Sequence, residues 1–283
     1  MTTLNLYETQ VADLLHDPNQ QIWSIAQLDR YINEARRQVV MDTGCLRTLQ
    51  STYLTAGQEV YTFGQVSGAV ITTPGSGYTN PSVSFTGGGG GSGVAASLTQ
   101  SGGAVNAINF TSFGSGYTTA PTAVITDTGA GANAVINTGV VNVNTYDILG
   151  VNVIWGSERY ALLWQPFTSF SARLRLWLST AYQRQPVMWS VYGNTQFYVG
   201  PPPDQSYAIE IDSVILPTAL ADYVTNDPIP VVMQDPIKFY SAYLAKLNMQ
   251  AFGEAEMLLQ TYSRRVRECS AAYTRRVPNP YEV

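Results

Sequence analysis

The chain of 283 residues is long enough for one or two domains, and it combines 45% hydrophobic residues with a formal net charge of -5 at pH 7. Its single histidine and two cysteines exclude a histidine-rich metal site and a disulfide framework. The sequence contains no run of about 18 apolar residues, so no membrane span is predicted. The acidic charge balance disfavours sequence-specific DNA binding.

Two helices are predicted at the start of the chain. Leu6, Val11, Leu14 and Leu15 give the first segment a short apolar face, and the sequence at 17–19, Asp-Pro-Asn, ends this helix. Ser24 followed by Gln27 is a capping-box signature, and the next apolar residues recur at helical spacing. Gly44 marks the end of this second helix.

Strand signals begin after the helices and are then interrupted by a segment of different composition. Residues 48–63 alternate apolar and polar side chains, as strands do. Between residues 64 and 145 lie 17 of the 24 glycines and only one charged side chain, Asp127. So abrupt a change marks a module boundary on each side. We therefore predict a host domain, residues 1–63 and 146–283, interrupted by an inserted glycine-rich domain, residues 64–145.

The inserted segment contains an internal repeat, which predicts an all-β module of short strands. Its Gly-Ser-Gly-Tyr sequence ends at Tyr78 and recurs 39 residues later, ending at Tyr117. Five consecutive glycines, 87–91, suggest a flexible hairpin tip; they lack the lysine and following helix of a phosphate-binding loop. Tyr78 and Tyr117 are candidate residues of the insert surface. The favoured interpretation is that each tyrosine packs in its own repeat, and the alternative is an exposed aromatic platform for a fibre or a glycan.

The remainder of the chain combines further strands with helices. Strands are predicted between residues 148 and 212, with a short helix within 170–182, and Asp235-Pro236 predicts the start of a helix. Gly253 indicates a break, after which apolar residues at helical spacing continue to Tyr273. The predicted fold class is α+β: a helical bundle of N-terminal and long C-terminal helices with a small antiparallel β domain, plus the inserted all-β domain.

No set of residues in the sequence predicts a catalytic or metal site. His16 stands near a helix end without triad spacing, and Cys45 and Cys269 are typical of small core residues. Glu210 and Asp212 share one face of a strand, which is more often the solvated face of a sheet than a catalytic pair of carboxylates. We therefore expect no catalytic residues, no metal and no cofactor.

Positive charge is concentrated at the C-terminus. Residues 260–283 have a net charge of +3, whereas residues 1–259 have a net charge of -8. An arginine-rich terminal helix on an acidic protein predicts docking on an acidic protein surface or on phosphate. The alternative is a solvated helix face.

Several segments outside the insert follow one another in a familiar order. They are the capped helix 24–41, the strand 55–61, the turn 197–204, the strand 207–211 and the segment 217–220, followed by paired terminal helices. In this order they resemble the head-to-tail adaptor, or connector, proteins of short-tailed phages. The Gly-Ser-Gly-Tyr repeat resembles small β modules inserted in many phage structural proteins.

The resemblance implies a structural virion protein that assembles as a homo-oligomeric ring, commonly of twelve copies, beneath the portal protein. Such a ring extends the DNA channel and docks the tail nozzle and tail fibre proteins, and DNA passes through it without sequence-specific binding. The implied location is the head–tail junction of the virion, reached after assembly in the host cytoplasm, with no membrane contact.

The resemblance also implies that the C-terminal segment reaches the portal. The candidate portal-binding residues are Arg264, Arg265, Arg267, Tyr273, Arg275, Arg276 and Tyr281. Two alternatives remain at this point: a tail receptor- or carbohydrate-binding protein acting through the inserted domain, and a cell-wall hydrolase that uses Glu210 or Asp212.

Overall fold

The structure is a computed structural model, and it divides the chain into two compact units. The helical unit comprises residues 1–47 and 214–283, and the β unit comprises residues 48–213. The residues that the structure describes are 2–128, 131–172, 179–193 and 195–274.

These described residues contain five α-helices and fourteen β-strands. The helices are α1 (Leu4–Leu14), α2 (Ile25–Thr43), α3 (Phe167–Ser171), α4 (Asp235–Asn248) and α5 (Phe252–Thr274). The strands are β1 (Arg47–Leu54), β2 (Val60–Thr62), β3 (Val66–Ser76), β4 (Ser82–Gly87), β5 (Ser92–Ser101), β6 (Ala104–Ser115), β7 (Pro121–Thr126), β8 (Ala132–Val140), β9 (Thr145–Trp155), β10 (Glu158–Ala161), β11 (Leu163–Trp164), β12 (Met188–Tyr192), β13 (Gln196–Gly200) and β14 (Tyr207–Ile215).

The ends of the helices follow local sequence signals, with one exception. The predicted capping box of α2 is confirmed, since the backbone N–H of Ser24 donates to Gln27 Oε1 at 3.1 Å. Gly44 follows α2 with a φ of +61°, a left-handed conformation in which glycine has no steric penalty. The predicted break at Gly253 is wrong: the chain turns just before Phe252, and Gly253 lies in the first turn of α5.

Apolar side chains of four helices meet in the core of the helical unit. Ile32 of α2 and Ile237 of α4 are fully buried. Tyr262 of α5 packs its ring 4.9 Å from that of Tyr240 and donates a hydrogen bond to Asp42 Oδ2 at 2.6 Å. These contacts join α2, α4 and α5 into one packed layer of helices.

Two four-stranded sheets enclose the main core of the β unit. Their strand orders are β1-β14-β9-β10 and β11-β12-β13-β2. Buried residues from both sheets form one cluster, which includes Leu54 of β1, Ile209 of β14, Trp189 of β12 and Phe197 of β13. Because both sheets contribute their inner faces, this part of the unit is a β-sandwich.

The six strands β3 to β8 form three antiparallel ribbons, in which β3 pairs with β8, β4 with β7 and β5 with β6. The outermost ribbon closes where the backbone N–H of Gly64 donates to the carbonyl oxygen of Val141 at 2.7 Å. Near the same end, the paired glycines Gly68 and Gly139 approach the backbone of Tyr53 in β1. Strands β3 to β8 are therefore nested, so that residues distant in sequence pair across the ribbons.

The prediction of a helical bundle with a small β domain is wrong. The chain is mostly β, with strands in several largely antiparallel sheets. Short edge strands explain the error: all four residues of β10 and both residues of β11 are exposed, so neither strand carries the alternation that reveals a half-buried strand. The residues predicted as an insert, 64–145, lie within the β unit.

Candidate functional site

The residues considered for nucleophilic chemistry occupy unreactive environments. Burial raises the pKa of the Cys45 thiol and of the half-buried Cys269 thiol, so both remain protonated at neutral pH. His16 is exposed and follows α1 in a left-handed conformation. Within the described ranges, no group of three or more His, Cys, Asp or Glu residues is arranged to hold a metal ion.

The two acidic residues considered for hydrolysis differ in their surroundings. Glu210 on β14 is buried, and its Oε1 accepts a hydrogen bond from Arg159 Nη2 at 2.8 Å. Asp212, two residues later, is half-buried. The expectation of a solvated pair is therefore wrong for Glu210, which forms an ion pair with the edge strand β10.

Tyr78 and Tyr117 are both buried, which excludes the exposed aromatic platform. Their packing is not confined to one repeat: Tyr117 packs with Val140 and lies beside Gly114 of its own repeat, and it also packs with Val66 of the other repeat. We define the first repeat as residues 64–102 and the second as residues 103–141; each ribbon pairs a strand of one repeat with a strand of the other.

The two tyrosines link the repeats by equivalent hydrogen bonds. The backbone N–H of Tyr78 donates to the carbonyl oxygen of Gly103 at 2.9 Å, and that of Tyr117 donates to Gly64 at 3.0 Å. Their hydroxyl oxygens accept backbone N–H groups of the opposite repeat, from Ala134 to Tyr78 and from Val94 to Tyr117. Each tyrosine therefore connects its own repeat to the other one through two hydrogen bonds.

Each tyrosine ring also lies against a glycine of the opposite repeat. A Cβ atom on Gly91 would lie 2.2 Å from Cδ1 of Tyr117, and one on Gly131 would lie 2.2 Å from Cδ1 of Tyr78. No side chain fits at those distances, because carbon atoms in contact are about 3.5 to 4 Å apart. The interpretation of the glycine run 87–91 as a flexible tip is therefore wrong, since Gly91 is part of this packing.

Asp127, the only charge of the inserted segment, accepts hydrogen bonds at a place where the other repeat uses a backbone carbonyl group. Its carboxylate accepts the backbone N–H groups of Thr79 and Asn80, each at 2.8 Å. In the other repeat the equivalent N–H, that of Thr118, donates to the carbonyl oxygen of Gly88 at 3.1 Å. The aspartate therefore replaces a backbone acceptor, which explains a lone charge in a neutral segment.

The candidate portal-binding residues differ in how far their side chains are engaged by other residues of the helical unit. Arg265 is engaged within the unit, with Glu268 at 3.2 Å and Asp235 at 3.7 Å, and Tyr273 packs partly buried on the helical core. Arg264 and Arg267 lie on the open face of α5 and line a shallow groove with Met257 and Gln260. Arg275, Arg276 and Tyr281 lie outside the described residues.

Two apolar surfaces were not identified from the sequence. The turn surface of the helical unit comprises Leu247, Met249, Phe252 and Met257, at the junction of α4 and α5. Phe252 is 64% exposed and Met257 is 69% exposed. The sequence could have indicated the exposure of Met257, because this residue lies off the apolar stripe of α5 through Ala255 and Tyr262 that faces the core.

The second surface, the edge surface of the β unit, comprises Tyr160, Leu163, Trp164 and Val187. Strands β10 and β11 are the outer strands of the two sheets and are separated by a single residue. Leu163 is 62% exposed and Trp164 is 56% exposed. Among the described residues no further strand pairs with either edge, and such open apolar edges favour association.

A comparison with known protein families finds no family model that matches this chain, and a comparison with curated proteins finds no match either. In the described part of the chain, no helix is both long enough and apolar enough to cross a membrane.

Proposed function

We propose that this chain is the head-to-tail adaptor of a short-tailed phage, a structural protein whose copies close into a ring beneath the portal. The ring extends the DNA channel and provides a docking surface for the tail nozzle and fibres. The observation that supports this role is the presence of two unlike apolar surfaces, the turn surface on the helical unit and the edge surface on the β unit.

Rings of identical subunits require two different contact surfaces. In a head-to-tail interface, one surface of a subunit meets another surface of its neighbour, and the ring closes when the rotation between copies completes a circle. A two-fold dimer, in contrast, uses the same surface twice. The turn surface and the edge surface differ in secondary structure and in composition, and they therefore favour the ring.

The charges of the chain are compatible with a DNA channel and a portal contact. A formal net charge of -5 limits the binding of phosphate, which would retard DNA passing through a ring. Arg264, with a side chain 64% exposed, and Arg267 are the described residues that we propose for the portal contact. Arg265 is a weaker candidate because its guanidinium is already shared between Asp235 and Glu268.

The alternative of a receptor- or carbohydrate-binding tail protein loses its proposed ligand platform. That function depended on exposed rings at Tyr78 and Tyr117, and both residues are buried. The hydrolase alternative required Glu210 and Asp212 to act together as a catalytic pair of carboxylates, and Glu210 is instead engaged in an ion pair with Arg159. We therefore retain only the adaptor role.

The direct test is electron cryomicroscopy of purified virions in which this chain has been located by a tag. We expect a closed ring of density at the head–tail junction that accommodates both units of the chain. Absence of the chain from particles, or its location at fibre tips alone, would contradict the proposal.

A mixing experiment tests the head-to-tail interface. We expect Leu163→Asp, on the edge surface, and Phe252→Asp, on the turn surface, each to prevent ring assembly with portal protein. An equimolar mixture of the two variants retains one intact pair of surfaces and should give dimers but no rings. Val224→Asp, at an exposed apolar residue outside both surfaces, is the matched control and should assemble normally. Dimers formed by either variant alone would indicate a two-fold interface instead.

A further inference from the structure

Helix α1 carries a buried acidic side chain, Glu8, that the proposed function does not use. Only 3% of Glu8 is exposed. Its Oε2 accepts a hydrogen bond from the hydroxyl of Tyr223 at 3.4 Å. Its Oε1 is buried and has no hydrogen-bond partner among the described residues. A buried carboxylate oxygen without a donor is costly and requires an explanation.

The group beside Glu8 is another carboxyl group. Asp29 of α2 lies within hydrogen-bonding reach of Glu8, and its Oδ1 is likewise buried without a donor in the described part of the chain. Two ionised carboxylates offer only acceptors to each other and repel. One proton placed between them supplies the missing donor for both oxygens.

We propose that Glu8 and Asp29 share one proton in the native protein, and that loss of this proton loosens α1 from α2 and from the 216–230 segment. The pair is thus a proton-dependent latch on the first helix of the chain. This inference is independent of the adaptor role, because it concerns contacts within the helical unit alone.

The electrostatics of the latch agree with this geometry. Burial, followed by the hydrogen bond and charge of Asp29, raises the pKa of Glu8 to about 7, and the hydrogen bond from Tyr223 opposes this effect. The shared proton is therefore released near neutral pH.

The release of the proton should make stability fall as pH rises. Between the ordinary pKa of a glutamate and about 7, the native state holds a proton that the unfolded chain has lost. The native state is therefore favoured at the acidic end of this window, and this advantage is lost as pH approaches and passes 7. The adjacent contact of α1, from Tyr7 to Asp227, stays in place, so the loosening is partial.

The test compares urea unfolding of the full chain and its Glu8→Gln variant from pH 5 to pH 8. The glutamine amide donates permanently to Asp29, so the variant should lack the pH-dependent step. We expect the unfolding constant of the wild type to rise by roughly tenfold to a hundredfold more than that of the variant. Asp29→Asn should give the same flattened profile, and Glu256→Gln, at an exposed carboxylate of α5, should keep the wild-type profile.

A second measurement does not depend on any variant folding. The carboxyl carbon of Glu8 in the wild-type chain should titrate by NMR with a midpoint near neutral pH. Hydrogen exchange corrected for intrinsic rates should show α1 losing protection above that midpoint while α4 keeps it. A Glu8 midpoint at the ordinary value for glutamate, or parallel unfolding profiles for wild type and Glu8→Gln, would overturn the latch.

Discussion

Adding one methyl group at Gly91 should destabilise the β unit. A Cβ atom there would lie 2.2 Å from Cδ1 of Tyr117, 2.4 Å from Cγ and 2.7 Å from Cα of the same residue. The ring is buried and the third atom belongs to the backbone, so rotation of one side chain does not remove the overlap. Inserting a methyl group into a filled core costs about 1 to 3 kcal/mol.

For a unit of this size, each kcal/mol lowers the melting temperature by roughly 2 to 4 °C, so Gly91→Ala should melt roughly 2 to 12 °C below wild type. Differential scanning calorimetry of the full chain measures this shift. Gly150→Ala is the matched control, since Gly150 lies in β9 with open space where its Cβ would point and without a positive φ. We expect the control within about 0.5 kcal/mol of wild type.

The same reasoning gives two further predictions. Gly131→Ala should cost a similar amount, because its Cβ would meet Tyr78 at the same distance. In the background of Tyr117→Ala, Gly91→Ala should cost less than it does in the wild type, because removal of the ring relieves the overlap with Cδ1 and Cγ but not that with the backbone Cα. Melting of Gly91→Ala within 1 °C of Gly150→Ala would refute the close packing.

Three other predictions concern buried or locally bonded charges. Arg36→Met leaves the fully buried Asp227 carboxylate without its guanidinium partner and should cost about 3 to 5 kcal/mol in urea unfolding, whereas Met at the exposed Arg37 should cost little. Asp127→Ala removes the acceptor of two backbone N–H groups and should cost about 1 to 2 kcal/mol by calorimetry; an unchanged melting temperature would contradict its capping role. Burial alone would raise the pKa of Asp17, but three backbone N–H groups lower it, so stability from this contact is present above the ordinary aspartate pKa and is lost as pH falls below it. Asp17→Asn should flatten that acid limb, and an identical acid profile would exclude the contribution.

Local sequence signals predicted local structure well. The capping box of Ser24 and Gln27 and the glycine after α2 depend only on neighbouring residues, and both are present in the structure. The proline in the first turn of α4 is likewise where the sequence placed it, after Asp235. Such signals are readable because the interacting groups lie within four residues of each other.

The sequence alone did not predict which distant residues pair with each other. The 39-residue period showed that a repeat exists, but the same period suits two separate modules or two intertwined ones. The choice is made by contacts such as Tyr117 on Gly91, in which a glycine is required for its missing side chain. From composition alone, the glycine run 87–91 was predicted to be a flexible hairpin tip.

The candidate site was only partly predictable for a related reason. The arginines of α5 were visible in the sequence, but the engagement of Arg265 with Asp235 depends on the packing of α5 beside α4. Leu163 and Trp164 continue an apolar run, and only the position of β11 at a sheet edge shows that they face outward. Edge positions leave little pattern in a sequence because the strands are short.

Because the two ends of the outermost ribbon meet at one hydrogen bond, the nested strands β3 to β8 could be replaced as a unit. The chain leaves the sandwich at Gly64 and returns at Val141, and one hydrogen bond joins these two points. The contacts with β1 and the residue after it include the glycine pair Gly68 and Gly139 beside that bond, and the hydrogen bonds of Ser67 with Thr52 and Thr55. A different module, or a short turn, grafted across the same two points would leave the sandwich core and its edge strands untouched. Replacing the nested strands in this way would change the outer surface of the β unit and keep the surfaces proposed for ring assembly.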